Sequence, residues 1–206
     1  MPKLGMPEIR KPQLIDATLE VIGEVGLGKT TVAMISKRAG VSAGIINHYF
    51  GGKDGLLNQS MRTILRELND GVRERREALP ADWPIERVRA IVGGNFDSRQ
   101  LDPRVMKTWL AFWAQAMHDE ELARLQRVNE KRLLSHLRYE LRKCLSREQA
   151  REVATGIAAL IDGIWLRGAL SGGVEQAEAV KLIDSFIRGQ LGLWHSTSRV
   201  QIASNY

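Results

Sequence analysis

Residues 23–50 read GEVGLGKTTVAMISKRAGVSAGIINHYF, and two incompatible folds claim the same letters. Gly23 to Thr30 match G-x-x-x-x-G-K-S/T. In that loop backbone amides cradle nucleotide phosphates, the Lys reaches the terminal phosphates and the Thr holds magnesium. Ala158 to Asp162 (AALID) even offer an apolar run ending in Asp, like a magnesium-binding partner strand. Such a loop works only between a buried parallel strand and a helix. Here the preceding stretch is helical, because Leu14, Ala17, Thr18, Val21, Ile22 and Val25 recur at i, i+3, i+4, i+7, i+8 and i+11. Asp16 and Glu20 fall on its polar side, which a buried strand would not tolerate. Gly26 and Gly28 then read as helix stop and loop, with Lys29 a loop residue. AALID belongs to a helical run from Gln149 to about Leu170, opened by a capping box of Ser146 and Gln149. No strands alternate with helices, so no parallel sheet exists to carry a nucleotide site. The match is accidental.

A second frame uses every residue. Thr31 caps a short helix, VAMISKRA, that stops at Gly40. Ser42 caps a second, AGIINHYF, with Val41 and Ile46 placed as a hydrophobic staple. Two short helices joined by a tight glycine turn form a helix-turn-helix, whose second member can enter the DNA major groove; a plain helical hairpin has the same outline.

The rest of the chain is compatible with a regulator and gives no sign of an enzyme. Its 206 residues are 44% apolar, enough for a buried core in one large domain or two small ones. No apolar run approaches the roughly 18–20 residues that span a bilayer, and the first residues lack a secretory signal, so no membrane association is expected. A single cysteine, Cys144, fits a reducing cytoplasm. The net charge of +6 suits an anionic partner, and residues 1–53 hold seven Lys/Arg against four Asp/Glu, or +3. His48, His118, His136 and His195 show no metal spacing, and no nucleophile–base pair stands out, so no catalytic residue, metal or cofactor is expected.

The run TTVAMISKRAGVSAGIINHYFGGKDGLL resembles the N-terminal signature of TetR-type repressors, in TTV, KRAGVS, YF and the Lys before LL. KTWLAFWAQAMH and AALIDGIWLRGALSG, with MPKLGM and IDATLEVI, are similar to one branch, the choline-responsive repressors of betaine-synthesis genes. The likeness covers about residues 1–190. It implies an all-α protein with a helix-turn-helix domain over 1–55, a helical ligand-binding and dimerisation domain over 56–192, and an extension over 193–206. A helix from about Lys53 to Arg76 would link the two domains. The resemblance also implies a homodimer on a near-palindromic double-stranded operator, released or modulated by choline or a related quaternary ammonium. By this resemblance Tyr49 and Lys53 grip the DNA backbone. Thr31 and Ser42, at helix N-termini, can meet phosphate oxygens. Base reading falls to Ala43, Gly44, Asn47 and His48, while Ile46 and Phe50 read as core. The chain departs from the family at Asn47, where Tyr is usual, and at Ala33, where Arg is frequent.

Asp102-Pro103 is a strong helix start. In the helix that follows, Trp109, Phe112, Trp113 and Met117 share one face at i, i+3, i+4 and i+8. Such a stripe is either core or a cage, since aromatic faces attract a quaternary ammonium by about 0.5–2 kcal/mol each. Asp162 lies in the apolar stretch ALIDGIWL, with Trp165 one turn later. It either pairs with a base such as Arg167, faces solvent, or balances a ligand cation beside Trp165. The cage reading puts choline between the helix of Trp109 and Trp113 and the helix of Asp162 and Trp165. The resemblance implies that the last two helices, from about Gln149 to Leu170 and Val174 to Gln190, pair with their copies in a dimer, for which Ile157, Leu160, Ile161, Ile164, Leu182, Ile183, Phe186 and Ile187 could supply the apolar seam.

Overall fold

The computed structural model describes the backbone over residues 6–203 and side chains over 10–192. Within these residues every regular element is helical: α1 Met6–Val25, a 3-10 turn Leu27–Lys29, α2 Val32–Ala39, α3 Ala43–Phe50, α4 Lys53–Glu77, α5 Pro84–Asn95, α6 Pro103–Ala116, α7 Glu120–Leu141, α8 Arg147–Leu170 and α9 Gln176–Ala203. They gather into two compact units. The first holds residues up to Asn69 with Arg99–Asn129, and the second holds Asp70–Ser98 with residues from Glu130 on.

In the first unit the periodic face of α1 is the core. Leu14, Ile15, Ala17 and Val21 pack with Ile35 of α2, Ile46 of α3 and Leu56 of α4, and Val41, Ile45 and Phe50 close the cluster. Burying each large aliphatic side chain there contributes roughly 1.5–3 kcal/mol. The corner between α2 and α3 is set by Gly40, whose φ of 66° is the left-handed conformation that ends a helix without a Cβ penalty. The Gly40 and Val41 amides donate to the Lys37 and Ser36 carbonyls at 3.3 and 3.0 Å, locking the turn. The supposed phosphate loop is thus a helix end. Gly23 lies within α1, Gly26 takes φ 77° just beyond it, and buried Thr30 donates its hydroxyl to the Gly26 carbonyl at 2.8 Å. A threonine committed to its own backbone cannot hold magnesium.

In the second unit α8 and α9 pack through Ile157, Ile161, Ile183 and Ile187, all buried. A Cβ at Gly156 would stand 2.6 Å from the Phe186 ring, so the two helices meet there with only hydrogen between them. The capping box opens α8 as the sequence indicates, with Ser146 accepting from the Gln149 amide and Gln149 accepting from the Ser146 amide. By length and composition α8 would suffice to cross a membrane, more than its letters first suggest; its buried face is instead part of this core. Glu140 is fully buried and accepts from Arg87 at 2.8 Å and Lys143 at 2.6 Å. α9 begins two residues later than the periodicity indicates. Val174 belongs to the linker after Gly172 and Gly173, whose φ values of 92° and 142° end helical propagation. It then continues to Ala203, through most of the stretch expected as an extension; the side chains there and residues 204–206 lie outside the described residues.

Candidate functional site

The residues expected to contact DNA lie on α3 and at its two ends. Ile46 is fully buried and Ile45 and Phe50 are partly so, which fixes the inner face of α3. The outer face then presents Ala43, Gly44, Asn47 and His48, all exposed and spaced as one helical stripe. Thr31 caps α2, its hydroxyl oxygen accepting from the Met34 amide at 3.2 Å. Ser42 stands at the N-cap position of α3 but makes no side-chain cap hydrogen bond, contrary to expectation. The locked Gly40–Val41 turn already sets the entry of α3, so the serine hydroxyl is not recruited.

At the other end Tyr49 is half-buried, its ring lying edge-on between those of His48 (5.1 Å between centroids) and Phe50 (6.5 Å). Gly51 and Gly52, at φ 72° and 122°, reverse the chain into α4, whose first residue is Lys53. None of the ion pairs among the described residues involves Lys53. A cation there opposes the positive end of the helix dipole, so an arriving phosphate is attracted by both.

The expected effector residues fall in different units. In the first, Phe112 is fully buried and Trp109 is 5% exposed, with the two rings edge-on at 5.7 Å. Trp113 tilts against Trp109 at 5.6 Å and is half-buried. Trp109 donates its indole N–H to Gln100 and Trp113 to Gln126, both at 3.3 Å. Met117 departs from this stripe. It is the C-cap of α6 and 75% exposed, because the helix ends before its side chain can turn inward.

In the second unit Trp165 is buried and donates to the Asn95 carbonyl at 3.3 Å. Asp162 does not share its burial: it reaches solvent, and no basic group among the described residues lowers its carboxyl, so Arg167 is not its counter-charge. The protein mass around the carboxyl nevertheless desolvates it and, with the like charge of Glu130, pushes it up to about 6. Glu130 is the residue that sequence reasoning misses. It sits in RVNEKR, where neighbouring bases hide any acidic signal. No group of three or more metal-ligating side chains exists among the described residues.

The sequence matches two families, the tetR family of bacterial regulatory proteins over residues 14–59 and the BetI-type transcriptional repressor C-terminal domain over 84–192. It is 59% identical to the HTH-type transcriptional regulator BetI of Vibrio parahaemolyticus, over 93% of this chain and 96% of that protein. It is 55% identical to BetI of Klebsiella pneumoniae, over 93% and 98%. A solved transcriptional regulator from Pseudomonas aeruginosa is similar at 28% identity and TM-score 0.78, covering 90% of this chain and 92% of that one. A regulator from Saccharomonospora viridis, solved in complex with choline, shares the fold at TM-score 0.74 and 20% identity, over 88% and 96%.

Proposed function

We propose, from the premise that this chain belongs to the BetI-type branch of the TetR family of transcriptional repressors, that it holds a near-palindromic operator as a homodimer in the cytoplasm and answers to choline or a related quaternary ammonium. Family membership makes it a regulator and not an enzyme. The observation that carries the operator reading is the exposed stripe Ala43, Gly44, Asn47 and His48 on an inwardly clamped α3, with Tyr49 and Lys53 at its end. Asn47 suits a bidentate contact to adenine and Ala43 a thymine methyl. Thr31, Ser42, Tyr49 and Lys53 hold the backbone and set register. The homodimer reading is supported by Leu166 and Leu170 of α8 and Leu182 of α9, which are 43%, 73% and 55% exposed. Ile157, Ile161, Ile183 and Ile187 are spent inside the protomer, so the outward leucines are the apolar side chains left to form the seam.

A mobility-shift titration on operator DNA at several salt concentrations tests this reading. Two recognition helices on one DNA face require half-site centres about 34–36 Å apart. Tyr49→Ala and Lys53→Ala will weaken binding to all sequences alike, and Lys53→Ala will lower the slope of log K against log salt by about one. Wild-type affinity and slope in both variants would remove α3 and α4 from the interface.

The effector reading is supported by the Trp109–Phe112–Trp113 ladder and, separately, by the raised carboxyl of Asp162 one turn from Trp165; Met117, turned out to solvent, does not add to it. The genes in question would be those converting choline to glycine betaine. Calorimetry with choline will show roughly ten-fold weaker binding for Trp113→Ala and for Trp165→Ala, if each supplies one cation–π contact. Asp162 gives a pH signature. Its carboxyl is raised, so it is neutral below about 6 and charged above, and choline affinity will fall as pH drops through that value. The dependence will vanish in Asp162→Asn. Equal choline affinity in all variants at both pH 5 and pH 8 would leave the two tryptophans as framework and Asp162 as a surface carboxyl.

A further inference from the structure

The C-terminal end of α1 carries Glu20 and Glu24 and no basic residue of its own in the last turn. Acidic groups there oppose the negative end of the helix dipole, and the last carbonyls lack helical partners. Both deficits are met by side chains from other helices. Arg38 of α2 reaches Glu20 at 2.9 Å and Glu24 at 2.8 and 2.6 Å. Arg104 of α6 approaches Glu20 at 3.7 Å, and Lys107 of α6 donates to the Gly23 carbonyl at 2.6 Å. The approach is close because residue 23 is glycine: a Cβ there would stand 3.2 Å from Arg104 Cγ and 3.4 Å from its Cα.

These contacts lie within the first unit and join two jobs. α1 forms the core that seats Ile46 of the recognition helix, while α6 carries Trp109, Phe112 and Trp113. Any shift of α6 along or about its axis must either break the Lys107–Gly23 and Arg104–Glu20 contacts or carry α1 with it. The start of α6 is itself stiff, because Asp102 accepts from the Arg104 amide at 2.8 Å and from its guanidinium at 2.6 Å. We propose that Arg104 and Lys107 are positioning residues that latch the effector helix α6 onto the end of α1, and through it set the seat of the recognition helix. This rests on the effector reading above. The latch gives choline a physical lever only if α6 differs in place between the liganded and free states.

The test compares wild type, the double variant Arg104→Met with Lys107→Met, and the conservative Lys107→Arg. Methionine keeps the aliphatic stems while removing the charges, and the Asp102 cap survives because it uses a backbone amide. Three quantities are read: choline affinity without DNA, operator affinity without choline, and the ratio of operator affinities with and without choline. Allosteric coupling spans about 5- to 150-fold in typical systems. The double variant is expected to bind choline within two-fold of wild type but to lose at least five-fold of the coupling ratio, with Lys107→Arg keeping the wild-type ratio. An unchanged ratio in the double variant overturns the latch. Amide exchange supplies a choline-free arm: the latch requires faster exchange in the last turn of α1 and in α3 of the double variant. If wild-type operator binding ignores choline, the effector reading fails and this arm decides the latch alone. Exchange identical to wild type in both segments overturns it.

Discussion

Replacing Glu140 with alanine will destabilise the second unit by about 3–5 kcal/mol, the cost of stranding a buried cation. Glu140 is completely buried and accepts from Arg87 Nε at 2.8 Å and Lys143 Nζ at 2.6 Å. Arg87 is itself only 11% exposed in its side chain, and its Nη1 also donates to the Arg76 and Leu79 carbonyls at 2.9 and 2.8 Å. Lys143 in turn donates to the Ala81 carbonyl at 2.7 Å. One carboxylate therefore neutralises the two cations that tie the end of α4 and the chain before α5 to α7. Alanine leaves Arg87 charged and desolvated with its Nε unpaired. Glutamine, which keeps an acceptor without the charge, will cost less. Denaturant midpoints report this directly, falling at constant m-value. The pH dependence has a definite sign. Burial alone would raise this carboxyl, but the hydrogen bonds from Lys143 and Arg87 outweigh it and hold it below the ordinary range. Its stabilisation is thus complete above the ordinary carboxylate pKa and lost as pH falls through the lowered one. The gap between wild type and Glu140→Ala will close in acid. A constant gap from neutral to strongly acid pH would mean the pair is energetically idle.

Phe112→Ala is the second large expectation, a loss of about 3–5 kcal/mol from the first unit. The ring has no exposure and stands edge-on to Trp109, so truncation removes its transfer energy and leaves a cavity walled by a rigid indole. Trp113→Ala, at a half-buried ring on the same helix, will cost less stability. The comparison separates two roles that share one stripe. If Phe112 is framework, its variant will melt earlier yet bind choline, in the folded fraction, within about three-fold of wild type. If Phe112 is cage, affinity will fall about ten-fold with little change in the unfolding midpoint. Chemical denaturation and calorimetry on the same samples read both axes.

Much of the helical framework is legible in the letters because its determinants are local. Thr31 as cap, Gly40 as the left-handed stop, Ser146 with Gln149 and Asp102 before Pro103 act within one turn of backbone, and the structure places each at a helix end. The periodicity of Leu14 to Val25 likewise needs no partner to be read, since 3.6 residues per turn fixes the buried face. The same local logic disposed of the phosphate loop. Partner choice is another matter. Lys107 finds the Gly23 carbonyl 84 positions away, and Arg87 finds Glu140 across 53. Asp162 takes the solvent-facing one of the readings its letters left open and feels the like charge of Glu130, and the apolar residues of α8 and α9 divide into buried isoleucines and outward leucines. Sequence by itself thus determined the helices, most of their ends and the exposed stripe of α3, whose energetics close within a few residues of backbone. Tertiary structure alone decided which charge meets which and which apolar side chain stays uncovered. Those outcomes depend on how closely helices approach, and here small residues such as Gly23 and Gly156 set that approach.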